Sequence, residues 1–414
     1  MRQSCAELVS IRENDIGDGE EQPSQHVFVV DLTSRTPPYD RRLCEALQEE
    51  GAQVDLWAAG NAHAELLDDL AVPLRRGWTD LATRIPRTEW TGPLIKVLKA
   101  VEYLVNLVAL LVAAEKEQPD LLHFQWLPLL DTVSVEIAFV RLFQSRGFKV
   151  VYTAHDVVPL DEREAPQSYE RLYNAADAVI CHTQQAKSRL VKEFHVEKEA
   201  VRIIPHGPLM DRDAFPPYRQ ARKHLGWSTE WPVALLFGVL RPYKGVEFLL
   251  RAWARVQEHV PQARLVVAGY AAPSYAQHLR GLRQDLEIGN AVEFRFRFLP
   301  EDELHALIAA ADVVVYPYRN ITQSGALFAG MNAGKAIVAT RVGGLAEVLQ
   351  DDQTGRFVEY GAYNHMAEQL SDLLQNPNAR ARLGHAAQVE MDDSYSWQHI
   401  AEKTIRYYAE VQNK

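Results

Sequence analysis

Two basic residues, Arg241 and Lys244, lie close together in the stretch FGVLRPYKGVEFLL. An apolar run ends at Gly238, and Gly245 leads into a second apolar pattern with helical spacing, so the pair lies in a strand-to-helix loop. The start of a helix attracts anions, and Arg and Lys side chains bind phosphate oxygens. The loop therefore predicts a diphosphate site. The alternative is that both residues are ordinary solvated charges.

A second loop of the same kind lies in PYRNITQSGALFAGMNAGKAIVATRVGG, which spans residues 317–344. A strand ends, the chain turns at Ser324 and Gly325, and a helix begins, which again favours phosphate binding. The stretch contains no Asp or Glu. Because ligands of open parallel sheets bind beyond the carboxyl ends of the strands, the two loops are expected to converge.

Apolar strand patterns alternate with helical patterns almost throughout the chain, which predicts an α/β fold with parallel sheets. The strands predicted in the first half are HVFVVDL, QVDLWAA, LLHFQW, KVVYTA and AVICHT. Those predicted in the second half are VALLFGVL, RLVVAG, AVEFRFRF, DVVVYPY and KAIVAT. Two successive series predict two Rossmann-like domains that face each other across a cleft.

The predicted domains follow the same division of the chain. Residues 1–25 form a flexible acidic tail, residues 26–210 the first domain and residues 211–394 the second. A last amphipathic helix, within residues 395–414, is expected to pack back on the first domain. A chain of 414 residues is too long for one ordinary core, in agreement with two domains.

Composition limits the class of partner and the compartment. The formal net charge is −11, which argues against nucleic acid as a partner. The three cysteines lie far apart without metal-type spacing, which indicates reduced thiols in the cytoplasm. No metal site is expected. The apolar run from Tyr103 to Ala114 is too short to span a bilayer, so it is either a buried helix or, with Lys96 and Lys99 before it, a membrane-surface helix.

Several segments together resemble the family 4 glycosyltransferases, which have the GT-B architecture. The resemblance is densest over residues 233–349, in GVLRPYKG, ARLVVAG, FLPEDELHALIAAADVVVYPY and AGKAIVATRVGGLAEVL. AHDVVP and IIPHG in the first half also resemble that family. The resemblance implies retaining transfer of a sugar from a nucleoside diphosphate sugar to an acceptor hydroxyl, with no cofactor and no metal.

The resemblance also implies roles for individual residues. Arg241 and Lys244 would stabilise the leaving diphosphate, and His155 would face the donor sugar from across the cleft. The alternative for His155 is a cap of the following turn. The other positions that would bind the donor are Gly238, Phe298, Leu299, Thr322, Gln323, Ser324, Gly325, Ala326 and Leu327.

The acceptor side is expected at Arg35, Tyr39 and His123. Arg35 follows the first strand in TSRTPPYDRR, where the family commonly has a glycine pair; with Arg41 and Arg42 it could attract an anionic acceptor. The alternatives are a solvated helix start for the arginines and a packing role for His123. The acceptor is expected to be a sugar or a lipid-linked precursor.

One departure from the family bears on activity. Many members carry a pair of glutamates around the second loop, but the matching positions here are Thr322 and either Gly330 or Ala329. Three explanations are open: Thr322, Gln323 and Ser324 replace the acids, another carboxylate such as Glu347 or Asp156 reaches in, or the protein is an inactive partner subunit. A sugar-nucleotide epimerase is a further, less favoured alternative.

Overall fold

The computed structural model describes residues 24–59, 67, 69–79, 92–128, 135–157 and 167–414. Of the predicted acidic tail, residues 1–23 lie outside the described part. The described residues form two parallel sheets, one in each half of the chain. This arrangement confirms the predicted α/β fold.

The first sheet has seven parallel strands in the order β3-β2-β1-β4-β5-β6-β7. Its inner strands are almost entirely buried, as expected for a parallel sheet covered on both faces. The strands are β1 (His26–Asp31), β2 (Gln53–Ala58), β3 (Leu74–Arg76), β4 (Leu121–Phe124), β5 (Lys149–Ala154), β6 (Ala178–Cys181) and β7 (Val201–Ile203).

The second sheet has six parallel strands in the order β10-β9-β8-β11-β12-β13. The strand order reverses between β8 and β11, which makes the gap between their carboxyl ends the expected ligand position. The strands are β8 (Val233–Phe237), β9 (Arg264–Ala268), β10 (Val292–Arg295), β11 (Val313–Tyr316), β12 (Ala336–Thr340) and β13 (Arg356–Val358).

Helices connect the strands and cover both sheets. In the first half they are α1 (Pro37–Glu49), α2 (Gly92–Glu117), α3 (Val135–Ser145), α4 (Gln167–Ala175) and α5 (Gln184–Lys192). In the second half they are α6 (Tyr218–Leu225), α7 (Val246–His259), α8 (Pro273–Asp285), α9 (Glu301–Ala310), α10 (Gly325–Asn332), α11 (Gly343–Val348), α12 (Tyr363–Gln375), α13 (Pro377–Ser394) and α14 (Trp397–Gln412).

The last helix, α14, packs against α1 of the first half. Its buried residues Ile400 and Tyr408 join the core formed by one face of the first sheet and α1. The indole nitrogen of Trp397 donates to the Pro208 carbonyl over 2.8 Å. A Cβ at Gly207 would lie 2.6 Å from the Trp397 ring, so only glycine allows this close approach. The chain therefore passes between the halves at two adjacent places.

Helix α2 is much longer than the twelve-residue apolar run, because its apolar positions continue toward its start. Its stretch Val97–Glu117 is long and apolar enough to cross a membrane by length and composition, and 39% of its most apolar part is buried. The exposed apolar residues Val97, Val101, Val108 and Val112 follow helical spacing along it. Lys99 is exposed, whereas the side chain of Lys96 lies outside the described part.

Candidate functional site

The loop after β8 brings Lys244 to the gap between β8 and β11. Lys244 is buried, and its ammonium donates to the Tyr318 hydroxyl over 2.8 Å and lies 4.6 Å from the Tyr318 ring centre. Tyr318 follows β11, so the bond spans the point where the strand order reverses. A buried ammonium needs such partners, because its desolvation is otherwise costly. Arg241, three residues earlier, is exposed at the start of the same short turn.

Three glycines allow this loop to approach its neighbours closely. Gly245 has φ 67°, and a Cβ there would lie 1.8 Å from the Pro317 carbonyl oxygen. Gly269, after β9, has φ 133°, and its Cβ would lie 2.0 Å from the Gly238 carbonyl oxygen. At Gly238 a Cβ would lie 3.1 Å from the Lys244 ammonium. Side chains at Gly245 and Gly269 would displace neighbouring backbone, and one at Gly238 would press on the Lys244 ammonium.

Helix α10 begins beside the same gap, as the sequence predicted for the second loop. Ser324 is the N-cap, and its hydroxyl accepts from the Leu327 N–H over 3.3 Å. Gly325 and Ala326 form the first turn, whose N–H groups have no acceptor within the helix. Thr322 and Gln323 precede the cap and are partly exposed. The helix start thus offers amide and hydroxyl donors to an anion.

The positions matched to the family's second glutamate are closed. A Cβ at Gly330 would lie 2.4 Å from the Tyr316 hydroxyl, which donates to the Ala326 carbonyl over 2.5 Å. Ala329 is buried. Glu347, one of the alternative carboxylates, accepts from the Gln184 N–H over 2.6 Å and from the Gln185 N–H over 2.8 Å, at the start of α5.

The loops after β9 and β10 add an exposed aromatic pair. The rings of Tyr270 and Phe298 are stacked, with centroids 4.7 Å apart and planes 9° apart. Phe298 is 72% exposed, Tyr270 is 39% exposed, and the adjacent Leu299 is partly exposed. The Tyr270 carbonyl accepts from the Leu240 N–H over 2.7 Å, which ties the pair to the loop of Arg241. Tyr270 was not predicted as a site residue from the sequence, although it directly follows the glycine that ends a predicted strand.

His155 follows β5 in the first half and is surrounded by aromatic rings. Its ring stacks on Trp126, with centroids 4.8 Å apart, and meets Tyr39 edge-on at 4.8 Å. Its Nε2 lies 3.0 Å from the Gln125 side chain and its Nδ1 lies 3.2 Å from His182 Nε2. Burial, and next the neighbouring His182, hold the pKa of His155 well below its ordinary value. His155 is therefore a neutral imidazole at pH 7.

Two of the predicted acceptor-side residues lie inside the first half. His123 is buried, with Nδ1 2.6 Å from the Tyr408 hydroxyl and Nε2 2.6 Å from the Thr153 hydroxyl. Burial lowers the pKa of His123 to about 3. Tyr39 is also buried. These placements favour the packing role for His123 that the sequence left open.

Arg35 differs from its neighbours because it is exposed at the end of β1. Its guanidinium lies 4.2 Å from the Trp126 ring centre, on a ring that also stacks on His155. Arg41 instead pairs with Glu45, and Arg42 pairs with Asp211. Of the three arginines that the sequence singled out, two are therefore paired with protein carboxylates, and a role of Arg35 toward an acceptor stays a prediction.

The loop that carries Arg35 is held by two side chains of this chain. The buried carboxylate of Asp31 accepts from the N–H groups of Thr33, Arg35 and Thr36. Ser34 has φ 46° and its hydroxyl contacts the backbone of Ala59. These bonds hold the loop in one conformation, whereas a glycine pair at this place would leave the backbone more flexible.

No group of three or more His, Cys, Asp or Glu side chains in the described part of the chain is placed to hold a metal ion. Cys44 is buried on α1, and Cys181 is buried in β6. That the reaction needs no metal or cofactor stays a prediction.

Comparisons with known proteins identify the family. Residues 39–208 match the family model described as Glycosyltransferase Family 4, and residues 218–390 match the model described as Glycosyl transferases group 1. The chain belongs to the family 4 glycosyltransferases. The two matches together span both sheets of this glycosyltransferase.

Curated relatives include D-inositol 3-phosphate glycosyltransferases. That of Corynebacterium efficiens is 28% identical over 283 residues, which cover 63% of this glycosyltransferase and 66%, just under two thirds, of the relative. That of Pseudarthrobacter chlorophenolicus is 26% identical over 394 residues, which cover 89% of each chain.

Solved structures share the fold. Sucrose-phosphate synthase from Thermosynechococcus elongatus has a TM-score of 0.70 at 21% identity, covering 94% of the glycosyltransferase and 99% of that chain. Anabaena Alr3699/HepE in complex with UDP and glucose has a TM-score of 0.68 at 18% identity, covering 94% and 100%. These likenesses confirm the predicted GT-B architecture.

Proposed function

We propose that this glycosyltransferase moves a sugar from a nucleoside diphosphate sugar to an acceptor hydroxyl with retention of configuration. The observation that carries the proposal is that the Lys244 loop contacts Tyr318, in the loop that leads to the start of α10, at the strand-order reversal. In this proposal Arg241, Lys244 and the amides of Gly325 and Ala326 surround the diphosphate. The complex of Alr3699/HepE with UDP and glucose supports a donor of this class.

The proposed reaction needs no protein nucleophile. The bond between the anomeric carbon and the diphosphate oxygen breaks, and the acceptor oxygen bonds to that carbon from the same face. The acceptor proton passes to the departing phosphate oxygen. Arg241 and Lys244 act by stabilising the negative charge that develops on the diphosphate, which is where fixed cations lower a barrier most.

In this proposal neutral side chains bind the hydroxyls that the family's glutamate pair would otherwise bind. Thr322, Gln323 and Ser324 lie before α10 and supply hydroxyl and amide groups to sugar and ribose hydroxyls. Such bonds are individually weaker than those to a carboxylate, which contribute roughly 1.5 to 3 kcal/mol each. We therefore expect donor affinity to be modest and to depend on the diphosphate and the base.

The nucleobase is proposed to lie on the exposed pair of Tyr270 and Phe298, next to the backbone of Leu299. Both rings stand at the carboxyl edge of the second sheet, beside the loop of Arg241. Stacking on aromatic rings binds any base. The pair therefore supports a nucleotide without selecting among uracil, guanine and adenine.

The proposed acceptor is polar and anionic and approaches from Arg35. That guanidinium is exposed and lies on the Trp126–His155 stack, so it stands beside the histidine expected to face the donor sugar. The printed names of the curated relatives, D-inositol 3-phosphate glycosyltransferases, support a phosphorylated acceptor. A lipid-linked or polysaccharide precursor is the alternative acceptor.

The decisive experiment measures binding, hydrolysis and transfer with a panel of UDP-, GDP- and ADP-sugars. We expect binding and turnover with at least one donor, and loss of turnover in Lys244→Ala. If the folded protein binds none of the donors, the proposal is wrong. Epimerisation of a donor without any acceptor would instead support the epimerase alternative.

A non-catalytic partner role is the second candidate, and the absence of both glutamates favours it. Under that role Arg241→Ala and Lys244→Ala leave cellular function intact. Complementation of a deletion strain by the double variant therefore separates the two candidates. Loss of complementation by a variant that folds and accumulates normally supports transfer.

Contact with a membrane surface is a further part of the proposal. The exposed valines Val97, Val101, Val108 and Val112 would enter the interface, and Lys99 would meet anionic headgroups. Sedimentation with anionic and neutral vesicles tests this, with Val101→Glu and Val108→Glu as the disrupting changes. Equal sedimentation of the wild type and of both variants would exclude it.

A further inference from the structure

A hydrogen-bonded row at the carboxyl edge of the first sheet connects two histidines. His182 follows β6, the strand beside β5, and its Nε2 lies 3.2 Å from His155 Nδ1. His182 Nδ1 lies 2.8 Å from the Ile204 carbonyl oxygen. At the other end, His155 Nε2 lies 3.0 Å from the side-chain amide of Gln125. The row therefore runs from a backbone carbonyl through both rings to an amide.

The carbonyl at one end determines where the protons lie. A carbonyl oxygen only accepts, so Nδ1 of His182 carries a hydrogen. Nε2 of a neutral His182 is then an acceptor, and it needs an N–H at His155 Nδ1. A neutral His155 consequently has its lone pair at Nε2. The direction of the whole row follows from the Ile204 carbonyl.

Both rings are neutral at physiological pH. Burial lowers the pKa of His182 to about 4, and it also holds the pKa of His155 well below its ordinary value. A doubly protonated ring inside the row would lose the hydration that stabilises its charge. Within the described residues no carboxylate contacts either ring to compensate for that loss. The neutral assignment therefore holds for the pair.

Gln125 completes the row through one end of its amide. The amide oxygen faces His155 Nε2 in the structure, and the amide nitrogen lies 3.3 Å from His123 Nε2. A half-turn of the amide exchanges the two atoms, so that the nitrogen faces His155 and the oxygen faces His123. Only the nitrogen can donate to the lone pair at Nε2. Proton placement along the row thus also fixes the orientation of Gln125.

We propose that His182 is a positioning residue that holds His155 in its Nδ1–H tautomer, so that His155 Nε2 accepts a hydrogen bond from a substrate hydroxyl. The identity of that hydroxyl rests on the proposed function, which places His155 beside the donor sugar. A hydroxyl that donates to Nε2 takes the place of the Gln125 amide. In the opposite tautomer His155 Nε2 would carry a hydrogen, so it could not accept a hydrogen bond from a hydroxyl.

Nitrogen-15 NMR of histidine ring nitrogens tests the tautomer at pH 7 without any ligand. His155→Gln identifies the His155 signals by their loss. We expect a protonated Nδ1 and an unprotonated Nε2 at His155 in the wild type. A protonated Nε2 with an unprotonated Nδ1 would overturn the proposal, and this result does not depend on whether a donor has been found.

Two variants then test whether His182 is the cause. His182→Leu removes the acceptor, so His155 is expected to change to the Nε2–H tautomer and donate to the Gln125 oxygen. His182→Gln keeps an acceptor oxygen on a side chain of similar reach, so His155 is expected to stay Nδ1–H. An unchanged His155 tautomer in folded His182→Leu would overturn the proposal. If that variant does not fold, a switched tautomer in His182→Gln has the same force.

Turnover with an active donor gives the functional outcome. We expect kcat to fall about tenfold in His182→Leu and by less than about threefold in His182→Gln, the size of one hydrogen bond. Nucleotide affinity should be unchanged in both, because neither contacts the diphosphate loops. An unchanged kcat in an active enzyme whose His155 tautomer has switched would overturn the positioning role.

Discussion

The Lys244 ammonium and the Tyr318 hydroxyl are 2.8 Å apart, and they belong to loops that follow strands on opposite sides of the strand-order reversal. The Arg319 N–H donates to the Tyr243 carbonyl over 2.7 Å, so the backbones of the two loops are joined as well. The cation is therefore positioned before any ligand arrives. Preorganised charge of this kind does not need to reorient during the reaction.

Replacement of Lys244 should affect turnover more than folding. We expect Lys244→Ala to lower kcat by about a hundredfold or more, because a fixed cation at the leaving group is lost. Tyr318→Phe should lower kcat by less, since the ammonium remains. Arg251→Ala, which removes an exposed cation from α7, is the control and should be unchanged. Full turnover in Lys244→Ala would contradict the proposed role.

Two serine caps make it possible to distinguish an effect on ligand binding from an effect on helix stability. Ser324 caps α10 and Ser396 caps α14, each by accepting a backbone N–H over 3.3 Å. Either serine changed to alanine should lower the free energy of unfolding by about 1 kcal/mol. Only Ser324→Ala should also weaken nucleotide affinity, measured by calorimetry. Equal affinities in both variants would count against α10 as the phosphate helix.

Gly245 should tolerate no side chain, for a steric reason. It shares a left-handed backbone with Gly226, at φ 67° and 69°, but a Cβ at Gly226 has no atom within 4 Å. We expect Gly226→Ala to cost about 1 kcal/mol of unfolding free energy. Gly245→Ala should cost at least about 3 kcal/mol, because the new carbon overlaps the Pro317 carbonyl. Urea denaturation compares them, and equal costs would refute the steric argument.

The stacked pair should contribute to nucleotide affinity and little to stability. Phe298→Ala is expected to weaken binding of the cognate nucleotide by about tenfold, within the range for one stacked base. Its melting temperature should stay near that of the wild type, because Phe298 is 72% exposed. Trp78→Ala removes an aromatic ring that is 62% exposed in the first half and serves as the control. Unchanged affinity in Phe298→Ala would show that the nucleobase does not bind at this pair.

The buried histidines predict a loss of stability in mild acid. Burial lowers the folded-state pKa to about 3 in His123 and to about 4 in His182, whereas an unfolded histidine titrates near 6.5. The unfolded chain therefore binds more protons as pH falls below about 6.5. Each such histidine should cost about 1 to 2 kcal/mol between pH 7 and pH 5.

Urea denaturation at several pH values measures this loss. His123→Gln should reduce the pH dependence by the contribution of one histidine. A flat profile between pH 7 and pH 5 would contradict the assignment of neutral buried rings.

The periodicity of the sequence predicts the long strands because their residues are buried on both faces. It misses β3, β7 and β13 as separate strands, since three residues at or near a sheet edge carry no clear alternation. The phosphate loops are predictable because glycines and basic residues lie close together in the chain. Contacts between distant residues are not: neither the Lys244–Tyr318 bond nor the closure of Gly330 by Tyr316 has a local signal.

The packing of α14 on α1 has a consequence for synthesis. Ile400, Tyr407 and Tyr408 complete a core that begins at β1, so the apolar face shared by the first sheet and α1 lacks part of its cover while the rest of the chain is being made. The second sheet has no such dependence, because its cores draw on residues that precede α14. On the ribosome, where domains generally fold in order from the N-terminus, this protein is expected to finish its second half before its first.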